Sequence, residues 1–382
     1  MKRALAVLAG LVLAGLCVVL GARPRPRPRP APMVSAPLVA DDVGALAEVL
    51  VHYTPDAEAQ IEPAYRDFLG TLPAGTRTVV VHPANAEVKA RAFLDRIGAH
   101  DTRLVPVAAR LAIWSKDRAL VLDGTEAHTT LLVPPKPRNG ESGRPFDWNI
   151  VPAVVAAMPE HLAYKEIPIA FDAGDFAIAG DRVLYDVNLW ERNRGRGYAS
   201  PVAFRERLRT VLGREVMMLG VEDAGVPQHH MSMYMASIGG NEVLVGDPLA
   251  GAALVGVDYR PGETSPERGD ALASDTSPAT VARFERAAAD LTRLGFHVTR
   301  IPTVAFDAKT YFAYTNGVFE TRGGRKHVWM PVFDVHALDD AARAVYERQG
   351  FVVHPVHVRS LYAHHGTIGC VVNVLARTRP TS

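Results

Sequence analysis

A single thiol stands near the C-terminus in HHGTIGCVVNVL, where Cys370 comes after a glycine-bearing turn and opens an apolar run. The chain has two cysteines, and the other, Cys17, lies in the apolar N-terminal segment, so the chain beyond that leader has one thiol and no internal disulfide. Such a thiol is either a buried apolar residue or a nucleophile. Acids and a histidine are spread upstream of it: Asp117 in IWSKDRALVL, Asp172 and Asp175 in FDAGDFAIAGDRVL, and His229 and His230 at the head of HHMSMYMASIGGNEVLVG. Each has an ordinary reading. Asp117 fits a turn beside solvated Lys116 and Arg118, AGD alone satisfies an Asx-type hairpin, and a histidine at a strand start is commonly structural. Brought together, a thiol, a histidine and separated carboxylates would suit nucleophilic displacement with proton transfer.

Other chemistries are poorly represented. The pairs His229-His230 and His364-His365 lack helical i, i+4 spacing and a flanking cysteine set, so no metal is assigned. No G-x-G-x-x-G comes after the first strand pattern and there is no P-loop.

The elements that must position these residues alternate between short β-rich runs and amphipathic helical patterns. TRTVVVHP (Thr76 to Pro83) reads as a strand, LAIWSKDRALVL (Leu111 to Leu122) as a strand broken by a turn, and IPIAFDAGDFAIAGDRVLYDV (Ile167 to Val187) as two strands about a Gly-Asp turn. EVMMLGVE, HMSMYMASIGGNEVLVGDP, AYTNGVFETRGGRKHVWMPVFD and GFVVHPVHV continue the series. AEVKARAFLDRIG, PVAFRERLRTVLG, ATVARFERAAADLTRLG and ALDDAARAVYERQG place apolar residues at helical spacing with glycine at or past the end. PPKPRNGESGRP (Pro134 to Pro145) reads as a loop. A recurring strand-turn-strand, helix, strand unit argues for an α/β repeat architecture closed on itself.

With 382 residues, 48% hydrophobic and 22% charged, the chain has the balance of a globular protein with one large or two smaller domains. Lys+Arg number 42 against Asp+Glu 41, a net charge of +1 that gives no field for a polyanion, so nucleic acid is not expected as a partner. Lys2 and Arg3 precede roughly 19 apolar positions, the length at which a signal-peptide core shades into a membrane span. Residues 1–22 are therefore read as a signal peptide or membrane anchor, and the bulky Leu16 before Cys17 speaks against a lipoprotein signal. The RPRPRPRP run from Arg23 to Pro30 makes 23–40 a stiff Arg/Pro-rich spacer, although its arginines oppose translocation. The expected location is exported or anchored to the membrane.

These motifs resemble the guanidino-group modifying enzymes: the arginine and agmatine deiminases, dimethylarginine dimethylaminohydrolase and the amidinotransferases. The resemblance runs from Trp114 to Cys370. It implies a five-bladed α/β propeller of ββαβ repeats, the pentein fold, over 41–382. IWSKDRALVL places Asp117 where family members bind the substrate guanidinium, a planar cationic fork that a carboxylate can match with two hydrogen bonds. FDAGDFAIAGDRVL is similar to the family's acid-Gly-Gly-Asp turn, with Asp172 at the catalytic carboxylate, Asp175 after the glycine and Ala173 in place of the first glycine. HHMSMYMASIGGNEVLVG places the catalytic histidine at His230, with His229 as a spare, and has Ser232 where many members carry aspartate. YTNGVFE resembles a strand whose asparagine, here Asn316, lines the pocket, and LWERNRGRG offers Arg192 for a substrate carboxylate or as a surface-loop residue. HHGTIGC matches the turn before the nucleophile, with the family's glycines reduced to Gly366 and Gly369.

The resemblance implies a cysteine-dependent hydrolase. Cys370 attacks the guanidinium carbon, Asp117 and Asp172 hold the cation, and His230 protonates the departing amine and then activates water. The product is a ureido compound, and no cofactor is required. The substrate is a small or peptidyl guanidino compound: arginine, methylated arginine, agmatine or protein arginine. Three alternatives stand beside it: an amidinotransferase, in which an amine replaces water; a catalytically silent binder, favoured by Ser232 and Ala173; and a membrane-tethered structural domain.

Overall fold

The computed structural model describes residue 34 and residues 36–123, 128–138, 144–221, 225–264, 269 and 271–378. The apolar leader and RPRPRPRP lie outside the described residues. The end of the segment read as spacer is part of the fold, with Val34 and Leu38 buried and Val39 N–H donating to the Val121 carbonyl at 2.8 Å. Among the described residues no helix is long and apolar enough to cross a membrane.

The architecture is mixed α/β, built from five sheets of one pattern beside a small two-stranded pair. In each sheet an antiparallel pair leads by a helical crossover into a parallel third strand. β4 (Leu120–Val121) and β5 (Thr129–Val133) lead through the helix Ile150–Ala157 to β6 (Leu162–Glu166). β7 (Phe176–Ala179) and β8 (Arg182–Asp186) lead through two helices, Val187–Asn193 and Pro201–Leu212, to β9 (Glu215–Leu219). β10 (Met235–Ser237) and β11 (Glu242–Asp247) cross through Pro248–Val255 and Pro278–Arg293 to β12 (His297–Pro302). After the β13 (Val304–Ala305) and β14 (Tyr311–Phe312) pair, β15 (Val318–Arg322) and β16 (Arg325–Val332) cross through His336–Arg348 to β17 (Phe351–His357).

The remaining sheet joins the two ends of the folded chain. β18 (Asn373–Thr378) runs antiparallel to β1 (Ala45–His52), which is parallel to β2 (Arg77–Pro83), itself parallel to β3 (Thr102–Val107). Central strands such as β2 bury both faces, and their Val-rich sequences read as continuous apolar runs. The four helices read from the sequence are amphipathic and stop at or just before glycine: Gly98 and Gly213 cap in the left-handed region, with φ of 70° and 63°. Sequence reading did not find the helix Glu58–Leu69, which holds Pro63 in its interior yet buries Ile61, Tyr65 and Phe68 against β17.

One local feature positions the site. In each unit the chain makes a tight turn just before the sheet's first strand, and the turns pack on one another. Asp117 lies in the turn before β4, Asp172 before β7, His230 before β10, Asn316 before β15 and Cys370 before β18. Most of the stretch expected as a strand over Leu111 to Leu122 is irregular, with only β4 extended. Ser115 Oγ donates to the carbonyls of Leu50 at 3.1 Å and Val371 at 2.7 Å, folding the segment inward and turning Asp117 toward the other motifs.

Candidate active site

The turns open into a cavity of ≈ 1020 Å³ whose lining includes Cys370, His230, Asp117, Asp172, Arg192 and Trp114. Cys370 sits in the single helical turn Ile368–Val371. It is 4% exposed. Its Sγ accepts from Asn316 Nδ2 at 2.9 Å, and the same amide nitrogen meets Met233 Sδ at 2.8 Å. Asn316 thus lies behind the thiol and does not line this cavity. Gly369 makes that approach possible, since a Cβ there would come within 2.0 Å of Asn316 Oδ1.

His230 is buried between two carboxylates. Its Nδ1 lies 3.7 Å from Asp117 Oδ1 and its Nε2 3.8 Å from Asp172 Oδ2. The first two atoms are both buried and have no hydrogen-bond partner among the described residues. Burial pulls the imidazole pKa down, but Asp117, then Asp172, Cys370 and Asp175, outweigh it and lift His230 well above the ordinary histidine value. The charged form of the imidazole is therefore favoured. Gly174 fits against the ring, for a Cβ there would fall 2.5 Å from His230 Cγ and Nδ1. Ser232 does not line this cavity and makes no hydrogen bond to His230; its backbone carbonyl accepts from Thr315 Oγ1 at 2.8 Å.

The spare histidine has a different environment. His229 Nε2 contacts the His365 carbonyl at 2.5 Å, and His365 Nδ1 lies 2.9 Å from Thr310 Oγ1, so the two histidine pairs tie the turn of His230 to the one preceding Cys370. Burial and the neighbouring His230 charge push His229 well below the ordinary value, leaving it neutral. No three-ligand cluster for a metal forms among the described residues.

Asp117 and Asp172 are both paired with arginines. Arg118 Nη2 lies 2.5 Å from Asp172 Oδ1, and Arg192 Nη1 lies 3.3 Å from Asp172 Oδ2. Burial alone would raise Asp172, but His230, Arg118 and Arg192 outweigh it and hold the carboxyl well below the usual carboxylate range. Arg144 Nη2 donates to Asp117 Oδ2 at 2.9 Å, and its Nε lies 3.3 Å from buried Asp147. Asp175 does not line the cavity. Its Oδ2 accepts from Asp172 N–H at 2.7 Å, and both its oxygens take the fork of Arg192, at 2.6 and 3.2 Å. Arg192 is accordingly bound by two carboxylates, not held open for a substrate's.

Of the residues expected from sequence, the structure gathers Cys370, His230, Asp117, Asp172 and Arg192 at one cavity and sets Asn316 and Asp175 behind it. Sequence reading missed Arg118, Arg144 and Asp147. Arg118 had the look of a solvated turn residue, yet its side chain is 12% exposed; only its place beside Asp117 hinted at a pairing. Arg144 and Asp147 pair at i, i+3 across the start of the turn Pro145–Asn149, at the end of the segment read as a loop.

No family model matches the sequence, and no curated protein matches it either. Solved structures do. An agmatine deiminase of C. jejuni superposes with a TM-score of 0.64 at 10% identity, over 91% of this chain and 98% of that one. An agmatine deiminase of Enterococcus faecalis gives 0.61 at 12% identity, over 92% and 100%. At such identities the likeness is one of fold, and it spans nearly the whole of both chains. This chain has the mixed α/β fold of the pentein deiminases, the guanidino-modifying enzymes that its motifs resemble.

Proposed function

We propose that this chain is a cysteine-dependent hydrolase of a guanidino compound, its five ββαβ units arranged as the blades of a pentein propeller around the site. The observation that carries the proposal is the meeting of Cys370, His230, Asp117 and Asp172, from four separate units, at one cavity. A guanidinium resists attack by neutral water, and covalent catalysis divides that barrier. Cys370 Sγ, as thiolate, forms a bond to the guanidinium carbon. The C–N bond breaks as His230 passes its proton to the departing nitrogen, which leaves as ammonia or an amine. Neutral His230 then takes a proton from water, whose oxygen adds to the same carbon. The C–S bond breaks and the new hydroxyl gives up its proton to solvent, returning the thiolate and releasing a ureido product. Asp172 stabilises the imidazolium present before the first proton transfer and restored by the second, and Asp117 receives the guanidinium.

A second reading, a site that binds without turnover, is favoured by one observation: Asp117 and Asp172 already hold Arg144, Arg118 and Arg192. An amine in place of water in the second half would make the same residues an amidinotransferase.

The test is ureido product formation from a panel of guanidino compounds, with Cys370→Ala alongside. Product that falls by more than about 10⁴-fold in the variant supports the hydrolase. Folded wild type that forms no ureido product from any of them overturns it, and amidino transfer to an added amine would then identify the transferase.

A further inference from the structure

We infer that the cavity selects substrates whose end remote from the guanidinium is anionic, through Arg110 and Lys309; the inference rests on the guanidino-substrate reading of the same site. Four cationic side chains other than histidine line the cavity: Arg110, Arg144, Arg192 and Lys309. They divide into two kinds. Arg144 is compensated by Asp117 and Asp147, and Arg192 by Asp172 and Asp175. Arg110 and Lys309 meet no carboxylate among the described residues, and both are exposed at the outer part of the cavity. The guanidinium of Arg110 is held in place by stacking over the Phe146 ring, 4.4 Å from its centroid, and Phe146 itself lines the cavity. Asp56 is the one further carboxylate among the lining residues, so outside the paired groups the lining has two cations against one anion.

The floor and the outer wall thus present opposite demands. Carboxylates and the thiol at the floor fit a planar cation, whereas Arg110 and Lys309 fit an anion and repel a second cation. A cavity of ≈ 1020 Å³ has room for both ends of such a molecule. The substrate class this defines is the guanidino acids, compounds with a guanidinium at one end and a free carboxylate at the other. Agmatine, the substrate named for the deiminases with which the fold superposes, ends in an amine and would place that charge against Arg110 and Lys309.

The experiment compares arginine, arginine methyl ester and agmatine in two ways. Turnover to ureido product is measured with wild type, and binding by calorimetry with Cys370→Ser. Both are repeated in the doubly charge-reversed background Arg110→Glu, Lys309→Glu, two exposed positions whose replacement does not touch the core. Expected is tighter binding of arginine than of the ester or agmatine by about tenfold or more, and loss or inversion of that preference on charge reversal. Agmatine or the ester bound or turned over as well as arginine would overturn the inference while leaving the hydrolase reading intact. Arginine that binds in a manner dependent on Arg110 and Lys309 but is never turned over would uphold the inference and sink the hydrolase. No binding of any of the three overturns the inference, as does a preference for arginine that survives charge reversal.

Discussion

Asp172 and Asp186 lie at the same end of one hairpin, the first entering β7 and the second ending β8, and they are driven in opposite directions. Asp172 has His230, Arg118 and Arg192 around it and stays ionised far into acid. Asp186 meets neutral donors: Tyr234 Oη–H at 2.8 Å, the Asn188 side-chain amide at 3.1 Å and backbone N–H groups. Burial therefore dominates, and its pKa is pushed up to about 7. Asp172 lies at the cavity with its side chain 26% exposed and Asp186 is 2% exposed, so both depth and the charge of the neighbours separate the two aspartates. The cavity side of the hairpin has gathered compensating cations around its acids, and the structural side has gathered hydroxyl and amide groups.

The most direct way to break this contrast is to neutralise each acid in turn. Asp172→Asn removes the charge that stabilises the His230 imidazolium, and ureido formation should fall by about 10²- to 10⁴-fold. Asp186→Asn should leave turnover within a few-fold of wild type. Equal losses in the two variants would mean that Asp172 is a fold residue like its neighbour. Next in size is Gly174→Ala. A methyl group 2.5 Å from the His230 ring must displace it, and the expected loss is about 10²-fold in kcat with a near-native fold. Unchanged kcat would show that the ring's position against Gly174 is not what catalysis depends on.

Arg144 gives a smaller and opposite effect. Its guanidinium occupies Asp117 as a substrate guanidinium would, so substrate must compete with a group of the protein itself. Arg144→Ala should lower KM for a guanidino substrate by about tenfold. A raised KM would instead make Arg144 part of the binding surface, and the comparison would then set a cavity that uses its arginines against a core that has none to spare.

Legibility in the sequence divides along the same line. Cys370, His230, Asp117 and Asp172 could be found because each is a chemically distinctive type at a turn before a strand, and the turn is a local signal. Their convergence is not local. It depends on the tight turns of separate units packing together, which no spacing within one motif records. Arg118 was invisible for that reason, since its pair with Asp172 is made across units, whereas Arg144 and Asp147 pair within one unit and were missed because an exposed-looking arginine and a buried ion-paired one have the same one-letter code. Asn316 and Asp175 were found by motif but not placed. Asn316 reaches the thiol from behind because Gly369 lets it, and Asp175 holds Arg192 because the turn aims its carboxylate at Asp172 N–H. The strands with Val-rich runs and the helices with glycine stops were readable. The helix Glu58–Leu69 was not, since packing under β17 overrides its internal proline.

The contrast between the two aspartates is sharpened by stability against pH, where the signs differ. Asp172 has a depressed folded pKa, so its contribution is present above the unfolded value and lost as pH falls through the folded one. Asp186 runs the other way. Between about pH 4, where the unfolded chain releases the proton, and about pH 7, where the folded protein does, the native state binds one proton more, and stability falls as pH rises. The span corresponds to at most about 4 kcal/mol. Asp186→Asn keeps an oxygen to cap the helix Val187–Asn193 and has nothing to ionise, so melting temperatures measured from pH 4 to pH 8 should lose this decline and exceed wild type at the upper end. The acid limb that depends on Asp172 lies below about pH 4, and melts extended to more acid pH should show it in both proteins. A variant whose profile retraces that of wild type would place the charged form of Asp186 in better company than Tyr234 and Asn188 provide, and the distinction between the two ends of the hairpin would have to rest on catalysis alone.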